Sequence, residues 1–518
     1  MTGILSDQSL TRLRWIASLI FVALFAYYIV DTLHWPMVWD TPVMHYIIFL
    51  MKHGLHPYTE ITDMNLPGCY LTEGWGMAIF GWSDLSWRIY EYFLLTVLTL
   101  GGVVIGGKRN WFAGIFAATF FLVMHGSEGP FFSTERDELM TVLLVAAIAF
   151  VFVALRRRLP LLMLPASLLA GLSTSLKPGA LLLEVLLLVV CCITLYRRGE
   201  RFLSYVGWAV LGNVLIGALM LGFMLHNHAL GHFLFIVRNV LPSYSGLQYK
   251  GASYLVRHLM PAALAPLVVL GLLVTVMRRQ SVDWERTILV LAALVGALSF
   301  FAQKKGYLYH RYQFIVFLLL WIGWELSEAM QRQEKRFRVL ALLGVATLFL
   351  AIVPYYVSLM HKDSKSGVAA DRLSTALQKD LTQLGGDDLQ RQVQCMDLIN
   401  GCLDALYELR LVQNTGSTGD LLFFSPTPGF AVDYYRNWFI DQDRVHPADV
   451  VVLGNEWFQV QNVNFDKIDT WPWYANYLRT MYVPVVERHF GDPSAPAYRI
   501  YLRKGSAVLA KEQANPLR

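Results

Sequence analysis

Two segments beside long apolar runs carry acidic side chains, and carboxylates there can take a proton from an attacking hydroxyl or hold a hard cation. Asp40, in Trp39-Asp40-Thr41-Pro42, stands directly after the first long apolar run. A charge at the edge of a bilayer is costly to desolvate, so its position argues for chemistry at a membrane surface. The same loop goes on to His45, Lys52, His53, His56, Glu60, Asp63 and Glu73. The second segment, His125 to Glu138, carries Glu128, Glu135, Asp137 and Glu138, two of which flank Arg136. Glu135, Arg136 and Asp137 suit the orientation of an acceptor, and carboxylate oxygens suit a divalent cation. The plainer alternative is an ion-pair knot around Arg136 at the head of a helix, worth little if exposed.

Cations stand where they complement these acids. Lys177, in Ser175-Leu176-Lys177-Pro178, interrupts two short apolar runs, a place where a lone charge needs an anionic partner. Lys304, Lys305 and His310 lie in the Gln303 to Arg311 segment between later runs, and Arg238 and Arg257 bracket another connection. Each could simply snorkel to the interface. Converging, they would make a phosphate clamp, with Arg as a bidentate fork and Lys as a point charge. The histidines form no HExxH, and Walker A, GxGxxG and GxSxG patterns are missing, so nucleotide-driven pumping and serine hydrolysis have no motif behind them.

The elements that must position these groups are membrane helices. The 518 residues are 55% hydrophobic and 16% charged, far from the balance of a soluble domain. Net charge of +5 comes from short basic clusters between apolar runs, which read as topology signals and not as a nucleic-acid surface. With Arg12/Arg14, Lys108/Arg109, Arg156 to Arg158, Arg197 to Arg201, Arg278 to Arg286 and Lys335 to Arg338 all inside, eleven spans thread consistently. They run over 13 to 33, 88 to 107, 111 to 125, 138 to 155, 160 to 175, 179 to 196, 203 to 226, 255 to 277, 287 to 302, 311 to 329 and 339 to 359. The first is read as a retained helix and not a cleaved signal, because no small-residue cleavage site follows it.

This places residues 1–360 in a transmembrane domain with long outer loops at 34–87 and 124–140, and residues 361–518 in a small soluble α/β domain outside the cytoplasm. In the first loop, Val43, Met44, Ile47, Ile48, Leu50 and Met51 share one helical face, so 42 to 53 reads either as a helix lying in the interface or as a cap on the bundle. The tail opens with a charged helical stretch, Lys362 to Gln383, followed by apolar runs at Leu421 to Phe424, Val450 to Leu453 and Tyr498 to Leu502. Cys395 and Cys402 are either a disulfide, if the tail is exported, or free thiols.

The order of first span, Trp39-Asp40, loop helix, Gly54-Leu55-His56-Pro57-Tyr58 and Asp63-Met64-Asn65-Leu66-Pro67-Gly68 resembles the GT-C glycosyltransferases, in particular the bacterial relatives of dolichyl-phosphate-mannose protein mannosyltransferases. Glu135-Arg136-Asp137, Leu176-Lys177-Pro178 and Gln303 to His310 extend the likeness, and a terminal α/β domain is common there. Thr41 follows Asp40 where that family often has Asp-Glu, and Asn65-Leu66-Pro67 replaces a Lys-Pro pair. The resemblance implies an inverting transfer of a hexosyl or pentosyl unit from a polyprenyl-phosphate donor to a lipid, glycan or protein acceptor, on the outer side of the plasma (inner) membrane and by a monomer. Asp40 would be the general base, with Glu135 and Asp137 assisting. Asp63, Arg136, Lys177, Arg238, Lys304, Lys305 and His310 would bind substrate, with a divalent cation as the only cofactor such carboxylates would suit. The rival reading is a transporter or lipid flippase, whose path the intramembrane charges would mark.

Overall fold

A computed structural model describes residues 6–247, 249–278, 283–398, 401–457, 464–490 and 496–517. Ser6 caps helix α1 (Asp7–Thr32), its hydroxyl accepting the Ser9 N–H, and Asp7 complements the positive helix start. The first loop holds α2 (Asp40–Lys52) and α3 (Pro67–Phe80). Then come α4 (Asp84–Asn110), capped by Ser83, α5 (Phe112–Glu128), α6 (Arg136–Arg157), α7 (Met163–Leu176), α8 (Ala180–Arg197) and α9 (Leu203–His226). Lys177-Pro178-Gly179 separates α7 from α8, because Pro178 has no N–H to carry the helix on. Short helices α10 (Leu230–Asn239), α11 (Leu241–Gly246) and α12 (Ala252–Leu259) lead to α13 (Ala265–Arg278), α14 (Trp284–Gln303), α15 (Tyr312–Gln331), α16 (Lys335–Ala346) and α17 (Val353–Leu384).

Among the described residues eight helices are long and apolar enough to cross a membrane, and the pair α12 and α13, bent by 52°, makes a ninth if it is one span. Two shorter apolar helices, Phe112–Glu128 and Pro160–Leu176, fill the other expected positions, so each of the eleven runs is helical. The chain is a multi-pass membrane protein. Helices α5, α6 and α15 form its centre, with 15, 15 and 16 buried residues. Helix α5 approaches α4 so closely that a Cβ on Gly102 would stand 2.9 Å from the Gly114 Cα, the small-residue packing that membrane helices use. The basic clusters meet at one end of the bundle: Arg14 donates to the Ser327 carbonyl, Arg109 to Gln331, Arg156 to Glu285, and Arg338 reaches Asp7.

Helix α17 runs through residue 360, so the tail domain starts as a continuation of the last span and not at a linker. Its sheet has the order β1-β2-β4-β3, with β1 (Val393–Met396) parallel to β2 (Val450–Gly454), and β4 (Ala497–Arg503) antiparallel to both of its neighbours, β2 and β3 (Tyr482–His489). Helices α18 (Cys402–Glu408), α19 (Phe430–Val445), α20 (Pro472–Met481) and α21 (Ala507–Ala514) flank it. Cys395 and Cys402 are joined, tying β1 to α18. The run Leu421 to Phe424 is a buried turn and not a strand, since Ser425-Pro426 follows at once and it serves another purpose described below.

The tail domain locks onto the first loop. Tyr46 Oη donates to the Leu411 carbonyl (3.0 Å), the Gln413 N–H donates back to it (2.8 Å), and Tyr407 Oη donates to the Trp82 carbonyl (2.8 Å). Of the two readings of 42 to 53, the cap fits and the interfacial helix does not: nine residues of α2 are buried, with His45 against Trp87 and Tyr407, Phe49 against Tyr407, and Tyr46 bonded to the tail domain. His45 Nε2 sits 3.3 Å from Glu73 Oε1. Burial pushes the Glu73 carboxyl up to about 8, against the pull of Arg136, and pushes His45 down to about 3, helped by Arg410. Glu73 therefore keeps a proton that the unfolded chain releases above pH 4.5, and the stability it lends falls as pH rises to about 8. Glu73→Gln should raise the thermal midpoint of the purified protein at about pH 9 and leave it unchanged near about pH 4, below the range in which the carboxyl ionises. An equal gain at both would show that the charge is irrelevant.

Candidate active site

Helix starts and ends converge on one cavity of about 1010 Å³, and they supply its polar groups. Asp40 opens α2 and Arg136 opens α6, so both stand at positive helix N-termini, while Lys177 and Gln303 close α7 and α14. Arg136 Nη2 lies 2.5 Å from Asp40 Oδ2, and Arg136 Nη1 also donates to Asn65 Oδ1. Asn65 Nδ2 in turn donates to both Asp63 oxygens (2.9 and 2.8 Å), and Tyr70 Oη donates to Asp63 Oδ2 (2.7 Å). Asp63 thus lines the cavity but is fully engaged in holding Asn65 and, through it, Arg136. Asp40 stays accessible, with 43% of its side chain exposed.

Backbone strain concentrates beside these groups. Trp39 (φ 60°), Thr134 (φ 61°) and Lys304 (φ 55°) adopt left-handed conformations immediately before Asp40, Glu135 and Lys305. Such residues cost of order 1–3 kcal/mol each and persist where surrounding packing imposes them. Trp39 is held by Phe131 and Phe132, with ring centroids at 5.0 and 5.7 Å. Gly68 lets the loop press on the end of α7, since a Cβ there would stand 2.6 Å from the Ser175 carbonyl oxygen, two residues before Lys177.

Lys177 Nζ pairs with Asp137 Oδ2 (2.5 Å) and donates to Gln303 Oε1 (3.0 Å). Asp137 is buried behind the cavity wall, and so is Glu135, whose Oε2 has no hydrogen-bond partner. Burial and the neighbouring Asp40 carboxylate push Glu135 well above the usual carboxylate range, which makes it a proton-bearing group next to Asp40. Lys305 donates to the Tyr244 carbonyl (3.0 Å) and to the Leu247 carbonyl, and burial pushes its ammonium down to about 8. His310 is buried on the cavity wall with Nδ1 unbonded.

The structure does not bring every expected residue to this cavity. Arg238 and Lys304 are exposed and absent from its lining; Arg238 ends α10, and the left-handed turn at Lys304 sends its side chain over the Tyr249 ring (4.9 Å) while Lys305 turns inward. The four acids of the second loop do not share one site either. Glu128 accepts from Arg311 and Tyr312 (both 2.6 Å), and Glu138 accepts the Thr134 N–H (2.8 Å) and lies 3.6 Å from His125. Among the described residues, the His/Cys/Asp/Glu group spaced to hold a metal ion is Glu91, His125 and Glu138, inside the bundle. Glu91 there already takes Arg88 (2.7 Å), Tyr28 (2.8 Å) and His125 (2.8 Å), so its lone pairs are occupied by donors and a cation would face the Arg88 guanidinium.

Two walls escaped sequence reasoning. The tail-domain turn supplies Thr418, Gly419, Leu421, Leu422 and Phe423, with Tyr435 from α19. The opposite wall is apolar: Leu181, Leu182 and Val185 of α8 and Leu298 of α14 line the cavity and are 42–56% exposed. The cavity therefore joins a polar end to an apolar wall formed by two membrane helices. The period of α8 gives no sign of this, because a helix apolar all round does not reveal which face meets a groove.

No protein-family model matches the sequence, and no curated protein is detectably similar to it. Solved structures share its fold. ArnT from Cupriavidus metallidurans in the apo state superposes with a TM-score of 0.55 at 14% identity, over 95% of this chain and 98% of that one. The same protein bound to undecaprenyl phosphate gives 0.53 at 15%, over 94% and 98%. The oligosaccharyltransferase AglB from Archaeoglobus fulgidus, in complex with an inhibitory peptide and a dolichol-phosphate, gives 0.50 at 12%, over 97% of this chain and 77% of that one.

Proposed function

We propose that this protein is a membrane glycosyltransferase of the GT-C kind, which moves a sugar from a polyprenyl-phosphate donor to a lipid, glycan or protein acceptor with inversion. The observation that carries this reading is the cavity itself: cations and an accessible carboxylate on one side, an apolar wall of two membrane helices on the other. An amphipathic ligand with a phosphate between its sugar and its tail fits that order of surfaces. Proteins of the same fold bind undecaprenyl phosphate and dolichol-phosphate, which supports the donor class. A transporter would need polar groups along its path, whereas Asp40, Arg136, Lys177 and Gln303 all come from helix ends on one side.

In the proposed reaction the acceptor hydroxyl attacks the anomeric carbon, its proton passes to Asp40, and the bond from that carbon to the phosphate oxygen breaks. Polyprenyl phosphate leaves with the electron pair, and its charge is met by Lys177 and Lys305. Arg136 aims Asp40. Glu135 and Asp137 act from behind the wall, the first as a protonated neighbour of Asp40 and the second as the counter-ion that fixes Lys177. Asp63 orients Asn65 and Arg136, and His310 turns a buried ring nitrogen, Nδ1, toward the same wall. The acceptor would enter beneath the tail-domain turn. Residues 1–360 form the transferase domain, and residues 361–518 stand outside the cytoplasm of the plasma (inner) membrane. The joined Cys395 and Cys402 suit an oxidising compartment, and the basic clusters lie at the other end of the bundle.

The direct test is mass spectrometry of lipids retained by purified Asp40→Asn protein incubated with a membrane lipid extract. A polyprenyl phosphate bearing a sugar is the expected finding, and it names the sugar. Retention of bulk phospholipid alone by a folded variant would overturn the reading. The Lys305 ammonium adds a pH signature. Phosphate affinity should decline as pH rises through about 8, where Lys305 loses its proton, and Lys305→Met should bind more weakly with a flatter pH profile. Parallel profiles for the two proteins would remove Lys305 from the clamp.

A further inference from the structure

The connection from α9 to α13 carries a charge pattern unlike the rest of the chain. No Asp or Glu occurs between Glu200 and Asp283, yet this stretch brings Arg238, Lys250 and Arg257 to the connection between the spans. None of the three, nor the adjacent Lys304, enters an ion pair among the described residues. The Lys250 N–H donates to the Lys304 carbonyl (2.9 Å), which joins this connection to the turn after α14. Lysines cover three tyrosines along that seam: Lys305 over Tyr244 (4.8 Å), Lys304 over Tyr249 (4.9 Å) and Lys250 over Tyr254 (5.4 Å).

The same connection exposes apolar side chains next to its cations. On α10, Leu234, Val237 and Arg238 fall at positions i, i+3 and i+4 of one face, with Leu234 56% exposed. On α12, Val256 (64% exposed) adjoins Arg257, and the 52° bend at Pro261 turns this helix away from the axis of the span that follows. Apolar and basic residues side by side, on short helices flanked by membrane spans and free of acids, are what an anionic bilayer surface recognises. We propose that α10, α12 and the Lys304 turn form a docking surface for anionic phospholipid headgroups. Leu241, Tyr244 and Tyr249 of this connection also line the cavity, so headgroups bound there stand beside the proposed donor site.

The test uses full-length protein with Val256→Cys, labelled with an environment-sensitive dye, in vesicles of phosphatidylcholine alone or with about one third phosphatidylglycerol. Protein lacking the new cysteine is the labelling control. The expected result is a blue shift of dye emission in the anionic vesicles, reversed by salt as screening shortens the reach of the charges. Combined Arg238→Gln, Arg257→Gln and Lys304→Gln should abolish the shift while leaving the thermal midpoint unchanged. Identical emission in the two vesicles at low salt would overturn the proposal, and so would a shift that survives the triple substitution. Reversal by inorganic phosphate but not by chloride of equal ionic strength would also overturn it, since that would mark a soluble phosphate site.

Discussion

Asp40→Asn should fold, bind donor with near-normal affinity and transfer sugar more slowly by about 10²- to 10⁴-fold, the usual contribution of a positioned general base. The amide keeps the shape of the carboxylate and can still accept from Arg136, so the Arg136 to Asn65 link survives. What it loses is the capacity to take the acceptor's proton. The decisive measurement is single-turnover release of polyprenyl phosphate beside an independent donor affinity. Slow release with intact affinity assigns the base. Normal release ends the assignment, and loss of both would mean that Asp40 matters chiefly as the counter-ion of Arg136.

Lys177→Met should weaken donor binding, but the pair with Asp137 complicates the reading. Asp137 is buried, and removing the partner of a buried ion costs about 3–5 kcal/mol. The single variant is therefore expected to lose thermal stability as well as affinity. Lys177→Met combined with Asp137→Asn removes both charges and should recover most of the stability while donor affinity stays low. Recovery of affinity together with stability would reduce Lys177 to a structural ion, and the phosphate would then rest on Lys305 and His310.

How much of the site was legible depended on how local its cause is. Asp40, Arg136 and Lys177 stand at helix ends set by Pro, by a break in apolar periodicity or by a change to polar loop, all of them signals within a few residues. Charges retained at such places are costly without a partner, so their prominence in the sequence matches their meeting in the cavity. Arg238 and Lys304 carried the same signal and did not meet it. Lys304 and Lys305 are adjacent in the chain, yet the left-handed backbone at Lys304 turns one outward and the other inward. The helix at 42 to 53 was legible but its surroundings were not: its hydrophobic pattern describes one face, while His45, Tyr46 and Phe49 are covered in part by a domain that begins more than 300 residues later.

The sequence by itself determined that this is a multi-pass helical protein, about where its apolar helices fall, and that a mixed α/β domain follows. Hydropathy and charge act over the length of a single helix, so these are local facts. Tertiary structure alone decided that Asp40 meets Arg136 across 96 residues, that the tail domain roofs the cavity, and that α8 and α14 give it an apolar wall. Those depend on which faces of uniformly apolar helices pack together. In a bilayer that choice is made by shape and small-residue contacts, because hydrophobicity no longer distinguishes one face from another.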